Sequence, residues 1–159
     1  SAMTPAILLL TQHAITFNIH DYVHQSNAKD YGLEAVAALN LTADQVFKTL
    51  VCELTPKELV VAVLPVSAQL NFKDLAQAAG RKKSSLAAQK HVESATGYIL
   101  GGVSPLAQKK GLRTYIDTTA EDHTTIFISA GRRGLEIEIA PKDLLDVTNA
   151  HYARLASAN

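Results

Sequence analysis

The chain predicts a mixed α/β fold, a mixed sheet or partly closed barrel with helices packed outside, and three observations carry that expectation. About seven short runs have the apolar, β-branched character of strands. Helical segments fall between them in an order that is not a regular βαβ alternation, which argues for a mixed sheet. The 159 residues are 47% hydrophobic, which suits one domain with an ample core.

The elements follow in order. Ser1-Ala2 ahead of Met3 reads as an expression remnant, which leaves residues 3–159 as a single domain. Thr4 caps a first amphipathic helix with Pro5 at its N1 position. The apolar run Ala6 to Leu10 is too short to span a bilayer and has no basic leader, so neither a signal peptide nor a membrane segment is read and the cytoplasm is the expected location. Phe17, Ile19 and the residues to Tyr22 alternate as a strand. His20 and His24 would share one face of a helix and ligate zinc there, but this stretch reads as extended and no third histidine or cysteine lies nearby, so no metal is expected. Tyr31 to Leu39 is a short alanine-rich helix.

Leu41 to Gln45 reads as a capping box, Thr42 at N-cap and Gln45 at N3, opening a short helical turn into the strand Gln45 to Cys52. Leu59 to Leu64 is a continuous apolar run, expected as a strand covered on both faces and paired with its predecessor in an antiparallel hairpin. Asn71 caps a helix through Ala79, closed by Gly80. A further helix spans about Ala87 to Thr96. Arg113 to Asp117 and Thr124 to Ser129 read as strands, and Ala130 to Gly134 turns the chain into Leu135 to Ile139, whose alternation of apolar and acidic residues predicts one buried and one wet face. Pro141 opens a final helix.

Four features bear on chemistry. Lys48 is a lone cation in an apolar strand, so it either snorkels to water along its stem or points into a polar cleft. Its neighbour Thr49 points to the opposite strand face, and both side chains line one wall only if the strand begins with a bend or bulge. Gly101-Gly102 lies between apolar residues, where paired glycines let a ligand approach main-chain N–H groups and hold an anion or oxyanion; a bend between two strands is the plain alternative. No third glycine completes a dinucleotide fingerprint and no phosphate-binding Gly-Lys-Ser is present, so no nucleotide cofactor is expected. Cys52 sits among Leu50, Val51 and Leu54, as a packed thiol does, and a single cysteine excludes an internal disulfide.

Charge is balanced overall but not locally. Residues 81–113 hold seven basic residues, among them Lys82, Lys83, Lys109 and Lys110, against the single acid Glu93, a local excess of +6. Such a zone suits a polyanion contact as well as it suits a solvated surface. Gly131-Arg132-Arg133-Gly134 has the outline of an RNA-clamping Gly-x-x-Gly loop, but it joins two strands and reads better as a hairpin turn.

Taken together, Thr4-Pro5-Ala6, Tyr22, Phe47-Lys48-Thr49-Leu50, Thr96-Gly97-Tyr98, the run Gly101 to Leu106, Gln108-Lys109-Lys110, the run Ser129 to Leu135 and Glu138-Ile139-Ala140-Pro141 resemble the YbaK/EbsC family of aminoacyl-tRNA editing domains. The resemblance runs from Met3 nearly to the end and implies a mixed β-barrel of about seven strands surrounded by helices. It implies a free-standing deacylase that removes cysteine from mischarged Cys-tRNA(Pro), with Cys-tRNA(Cys) as a further substrate, with prolyl-tRNA synthetase as a working partner and without cofactor. Lys48 matches the family's essential lysine, and Tyr22, Thr49, Gly101 and Ser129 match its pocket positions, with Gly102 beside them. Tyr31 stands where a relative carries Phe. The implied mechanism is substrate assistance, in which the thiol of the esterified cysteine attacks its own carbonyl, Lys48 and Gly101 holding the oxyanion. The alternatives are a deacylase of alanyl or prolyl esters using a bound water, and a non-catalytic module that binds tRNA or a synthetase.

Overall fold

The computed structural model describes residues 3–25 and 27–157; residues 1–2, expected as an expression remnant, lie outside them. In chain order the elements are α1 (Pro5–Gln12), β1 (Phe17–Asp21), α2 (Tyr31–Ala38), β2 (Phe47–Leu54), β3 (Glu58–Pro65), β4 (Gln69–Leu70), α3 (Phe72–Ala78), β5 (Ser84–Leu86), α4 (Gln89–Thr96), β6 (Arg113–Asp117), β7 (Ile126–Arg132), β8 (Leu135–Ile139), α5 (Pro141–Val147), β9 (His151–Ala153) and β10 (Ala156–Ser157).

Local chemistry explains the helix starts. Thr4 accepts the Ile7 N–H, Asp30 the Leu33 N–H and Asn71 the Asp74 N–H, each satisfying a first-turn donor that has no partner inside its own helix. Helix α4 stops at Gly97, whose φ of +81° is open to glycine at little cost. The expected capping box at Thr42 does not form. Residues 43–45 make a turn closed by Gln45 N–H to the Thr42 carbonyl, and the Gln45 amide reaches Thr125 O instead of folding back. A long-range acceptor has taken the side chain that the cap needed.

The strands divide into three sheets, and no closed barrel forms among the described residues. The largest has the order β5-β2-β3-β6-β9, with β2 antiparallel to β3 and β5, and β3 to β6 to β9 parallel. An antiparallel sheet of order β1-β8-β7 packs against it, and β4 pairs with β10. The two larger sheets meet in a single parallel bridge, Val46 to Phe127, and then separate. The mixed α/β class is as expected, while the mixed barrel of about seven strands that the resemblance implies does not close among the described residues, because the two larger sheets are joined at one bridge only.

Between the two larger sheets lies the main core, built from Phe47, Val51, Val61, Val63, Ile116, Ile128 and Ile137 among others, with Ala6, Ile7 and Leu10 of α1 packed onto it. A second core on the opposite face of β2 and β3 holds Cys52, Leu54, Val60, Leu64 and Leu75 of α3. Strand β3 is thus covered on both sides, as its unbroken apolar run requires. Across β7 and the end of β1 lies α2, where Ala35 joins Val46 and Phe127.

Two readings of local exposure change. Glu136 of β8 is 7% exposed, so the acidic face of that strand is not wet throughout; α2 and the cavity described below cover it. Gly101-Gly102 does not bend between strands: it lies in the long connection from α4 to β6.

Candidate active site

Where the two larger sheets part, a cavity of about 360 Å³ opens. Lys48, Thr49, Tyr22, Tyr31, Gly101 and Ser129 all line it, although they come from five separate parts of the chain. The question of how Lys48 and Thr49 reach one site is answered without a bulge, since β2 pairs with β3 in continuous register from Phe47 to Leu54. Strand β5 covers only Cys52–Leu54 and β7 bridges only at Val46, which leaves a free edge at residues 48–50. The cavity lies along that edge and is open to both faces. Thr49 reaches it from the side of the main core, the face of Phe47 and Val51, and Lys48 from the other side, the face of Cys52 and Leu54.

Lys48 is half-buried, and its Nζ donates to the Ala68 carbonyl at 2.7 Å. Burial lowers its pKa, and the Asp30 carboxylate opposes that shift. The ammonium is thus anchored by one donor and has others to offer the cavity. Ser129 Oγ accepts the Gly131 N–H at 3.1 Å within the bulge that separates Ser129 from Arg132 in β7, so its own proton is free to donate. Thr49 Oγ1 is buried without a hydrogen-bond partner. Tyr22 follows β1, its N–H bonded to Gly134 O, and its phenol pKa is raised by burial first and by Glu136 second.

Tyr31 opens α2 and is held in place from two sides. Its ring lies under the Arg133 guanidinium, 4.7 Å from centroid to carbon, and Arg133 in turn pairs with Glu34 at 2.9 Å. The same ring lies against Gly101, where an added Cβ would stand 3.2 Å from it, and the φ of +94° there favours glycine as well. Gly102 plays a different part from the one expected. It is absent from the cavity wall, its N–H is committed to the Ile99 carbonyl, and its missing Cβ lets the loop lie against the Arg132 and Arg133 backbone.

Lys82, Lys83, Lys109 and Lys110 are exposed and lie outside the cavity wall; Lys110 borders a separate cleft. Two further members of the basic zone are engaged, since Arg81 and Arg113 both pair with Glu58. His20 bonds Glu138 at 2.9 Å rather than facing His24. Cys52 is fully buried in the second core, and burial pushes its thiol up to about 12, which leaves it inert.

Glu136 is the site residue that sequence reasoning missed. Its carboxyl lines the cavity, accepts no hydrogen bond from any described residue, and is pushed by burial up to about 8. Ser129 is its partner across β7 and β8. In the sequence Glu136 is one of two acids alternating along a strand, and its register opposite Ser129 is set by the fold.

The fold and this cavity define the class. The sequence model of the aminoacyl-tRNA editing domain matches residues 25–147. An Enterococcus faecalis protein named "Putative Cys-tRNA(Pro)/Cys-tRNA(Cys) deacylase EbsC" is 36% identical over 155 residues, covering 97% of this chain and 93% of that protein. This chain therefore belongs to the aminoacyl-tRNA editing domain family, in its YbaK/EbsC branch. Solved structures agree on the fold. One described as "a putative trans-editing enzyme for prolyl tRNA synthetase" superposes with a TM-score of 0.84 at 20% identity, covering 99% of this chain and 100% of the other. A hypothetical protein superposes at 0.86 with 23% identity, covering 97% and 100%.

Proposed function

We propose that this chain is a trans-acting deacylase that removes cysteine from mischarged Cys-tRNA(Pro), with Cys-tRNA(Cys) as a further substrate. One observation carries the reading: the cavity wall offers lysines, hydroxyls, the carboxyls of Asp30 and Glu136 and a glycine loop but, among the described residues, no histidine or cysteine. Neither the Ser129 nor the Thr49 hydroxyl donates a hydrogen bond to Glu136 or to any other base among the described residues, so neither is activated as a nucleophile. The attacking group is therefore the thiol of the substrate. It adds to the ester carbonyl and leaves with the carbonyl carbon as a cyclic thioester, a lyase-like cyclisation in place of direct hydrolysis.

In this reading the protein positions and polarises. Lys48 Nζ and the Gly101 N–H hold the developing oxyanion, the type of interaction whose loss costs about 10²- to 10³-fold in rate. Tyr22, Tyr31, Thr49 and Ser129 orient the amino acid and the terminal ribose. Lys82, Lys83, Lys109 and Lys110 contact tRNA phosphates, and prolyl-tRNA synthetase supplies the mischarged tRNA. The name of the Enterococcus faecalis relative supports the choice of cysteine.

The test is a deacylation assay on tRNA(Pro) charged separately with cysteine, alanine and proline, run on the natural chain and on Lys48→Ala. Fast cleavage of the cysteinyl ester alone, lost in folded Lys48→Ala, is expected. Equal turnover of alanyl or prolyl esters would point to a bound water as the attacking group. No turnover of any ester would make the chain a binding module.

A further inference from the structure

Glu136 is set apart from the other buried carboxylate among the described residues, Asp117, by its lack of donors. Glu138, two residues on and on the same strand face, accepts from Thr125 Oγ1 at 2.6 Å and bonds His20 at 2.9 Å. Asp117, equally buried, accepts from the main chain of Leu155, Ala156 and Thr119. Glu34 and Glu58 have arginines. Glu136 is 7% exposed, sits in the cavity wall and accepts no hydrogen bond from any described residue. A mostly buried carboxyl that has no donor from the protein and opens only onto a cavity calls for a reason beyond packing. The cavity that it faces is the reason.

We propose that Glu136 is a further catalytic residue, a proton shuttle between the substrate thiol and the ribose oxygen that leaves. This rests on the thiol-assisted reading above. The Glu136 carboxylate takes the S–H proton as sulfur bonds to the ester carbonyl carbon. The tetrahedral oxyanion then collapses, the bond from carbon to ribose oxygen breaks, and the Glu136 carboxylic acid returns the proton to that oxygen. Tetrahedral collapse releases the four-membered cyclic thioester of cysteine and a tRNA with its free terminal hydroxyl. No water, oxidant or second base enters, and the carboxyl ends as it began.

The surroundings suit that role. On β7, Ser129 is the cross-strand partner of Glu136 and Tyr22 after β1 is near enough to feel its charge, while Lys48 on β2 and Lys29 and Asp30 ahead of α2 line the same cavity. On β1, His20 is its cross-strand partner but is turned to Glu138, and Glu34 of α2 is tied to Arg133. Asp30 is occupied as the α2 cap. Glu136 is thus the one cavity carboxyl without a prior hydrogen bond among the described residues. A carboxyl held near 8 is also well matched to a thiol whose ordinary pKa is about 8.5, so the proton moves in either direction without a large penalty.

The experiment is single-turnover deacylation of cysteinyl-tRNA(Pro) at saturating enzyme from pH 6 to 9, on the natural chain, Glu136→Gln and Glu136→Asp. Binding of tRNA(Pro) carrying S-methylcysteine is measured in parallel, since that ester keeps the amino group and lacks the reacting proton. Glu136→Gln should lose about 10²- to 10⁴-fold in rate. Its binding of the S-methyl ester should be unchanged, and its deficit should narrow above about pH 8.5, where the thiol ionises unaided. Glu136→Asp should recover part of the rate. A natural rate in folded Glu136→Gln overturns the proposal. So does weakened binding with an unchanged saturating rate, which would make Glu136 a holder of the substrate ammonium. If Glu136→Gln does not fold, a rate and pH profile in Glu136→Asp identical to the natural chain overturn it equally. Failure of the natural chain to cleave the cysteinyl ester at all would refute the proposed function itself, a result distinct from these.

Discussion

Single residues in this cavity are defined by what they lack. Thr49 has a buried hydroxyl without a partner, Glu136 a buried carboxyl without a donor, and Gly101 no side chain between its main chain and Tyr31. The cost of Glu136 is visible as a pH dependence of stability. Its folded pKa of about 8 lies above the ordinary 4.5, so between those values the folded chain holds a proton that the unfolded chain has released. Stability from this group is therefore complete below about pH 4.5 and falls as pH rises to about 8, by at most about 1.4 kcal/mol per pH unit. Glu136→Gln removes that slope. In thermal melts at pH 5, 6.5 and 8, the variant should gain on the natural chain with each step upward and be the more stable at pH 8; parallel curves would show that the carboxyl is charged and solvated throughout. This residue was not legible in the sequence. The alternation Leu135-Glu136-Ile137-Glu138-Ile139 tells which side chains share a face, but not that a helix and a cavity from elsewhere cover half of that face.

At the scale of elements, legibility followed the range of the interactions. Helices α1 and α3 were readable because Thr4, Pro5, Asn71 and Gly80 act within a few residues of themselves. The β2–β3 hairpin was readable from two apolar runs with a turn between them. Strands β4, β5, β9 and β10 have two or three residues each, too few for any period to show, and they exist because a distant strand presents an edge to them. The Thr42 cap failed for the same reason, since Thr125 outcompetes a local partner for Gln45. The loop from Gly97 to Pro105 is the element on which the site most depends. Gly102 lets it lie on the β7–β8 hairpin, and a Cβ there would stand 2.9 Å from Arg132 Cα and Arg133 N, main-chain atoms that cannot swing away. Gly102→Ala should cost about 1–3 kcal/mol as an overpacked contact. It should also lower turnover, because the loop carries Gly101 away from Lys48. Gly111→Ala is the control, since nothing lies within 4 Å of its added Cβ. Chemical denaturation and single-turnover rates on both variants decide the matter; equal behaviour would separate the loop from the chemistry.

For the molecule as a whole, the arrangement is two sheets joined at one bridge, with the candidate site in the gap and the basic zone on the outside. The fold class was legible, from the order of runs and helices, while the closure of the barrel was not: closure depends on pairing between strands far apart in the chain, and here β7 leaves β2 after a single bridge. Nor was the true composition of the basic zone, because Glu58 removes Arg81 and Arg113 from it by pairing with both. The exposed Lys82, Lys83, Lys109 and Lys110 remain as the proposed phosphate contacts, and reversing them to glutamate should weaken tRNA binding and flatten its salt dependence, which for duplex contacts runs at a slope of about −0.9 per phosphate. An unchanged binding isotherm from 50 to 200 mM salt would leave those charges as a solvated surface. The central claim, that the substrate's own thiol attacks in a cavity without a protein nucleophile, is tested most directly by single-turnover deacylation of tRNA(Pro) carrying cysteine against the same tRNA carrying S-methylcysteine. The account predicts rapid release of cysteine and a methylated ester that is bound but left intact. Rapid hydrolysis of the methylated ester would contradict it.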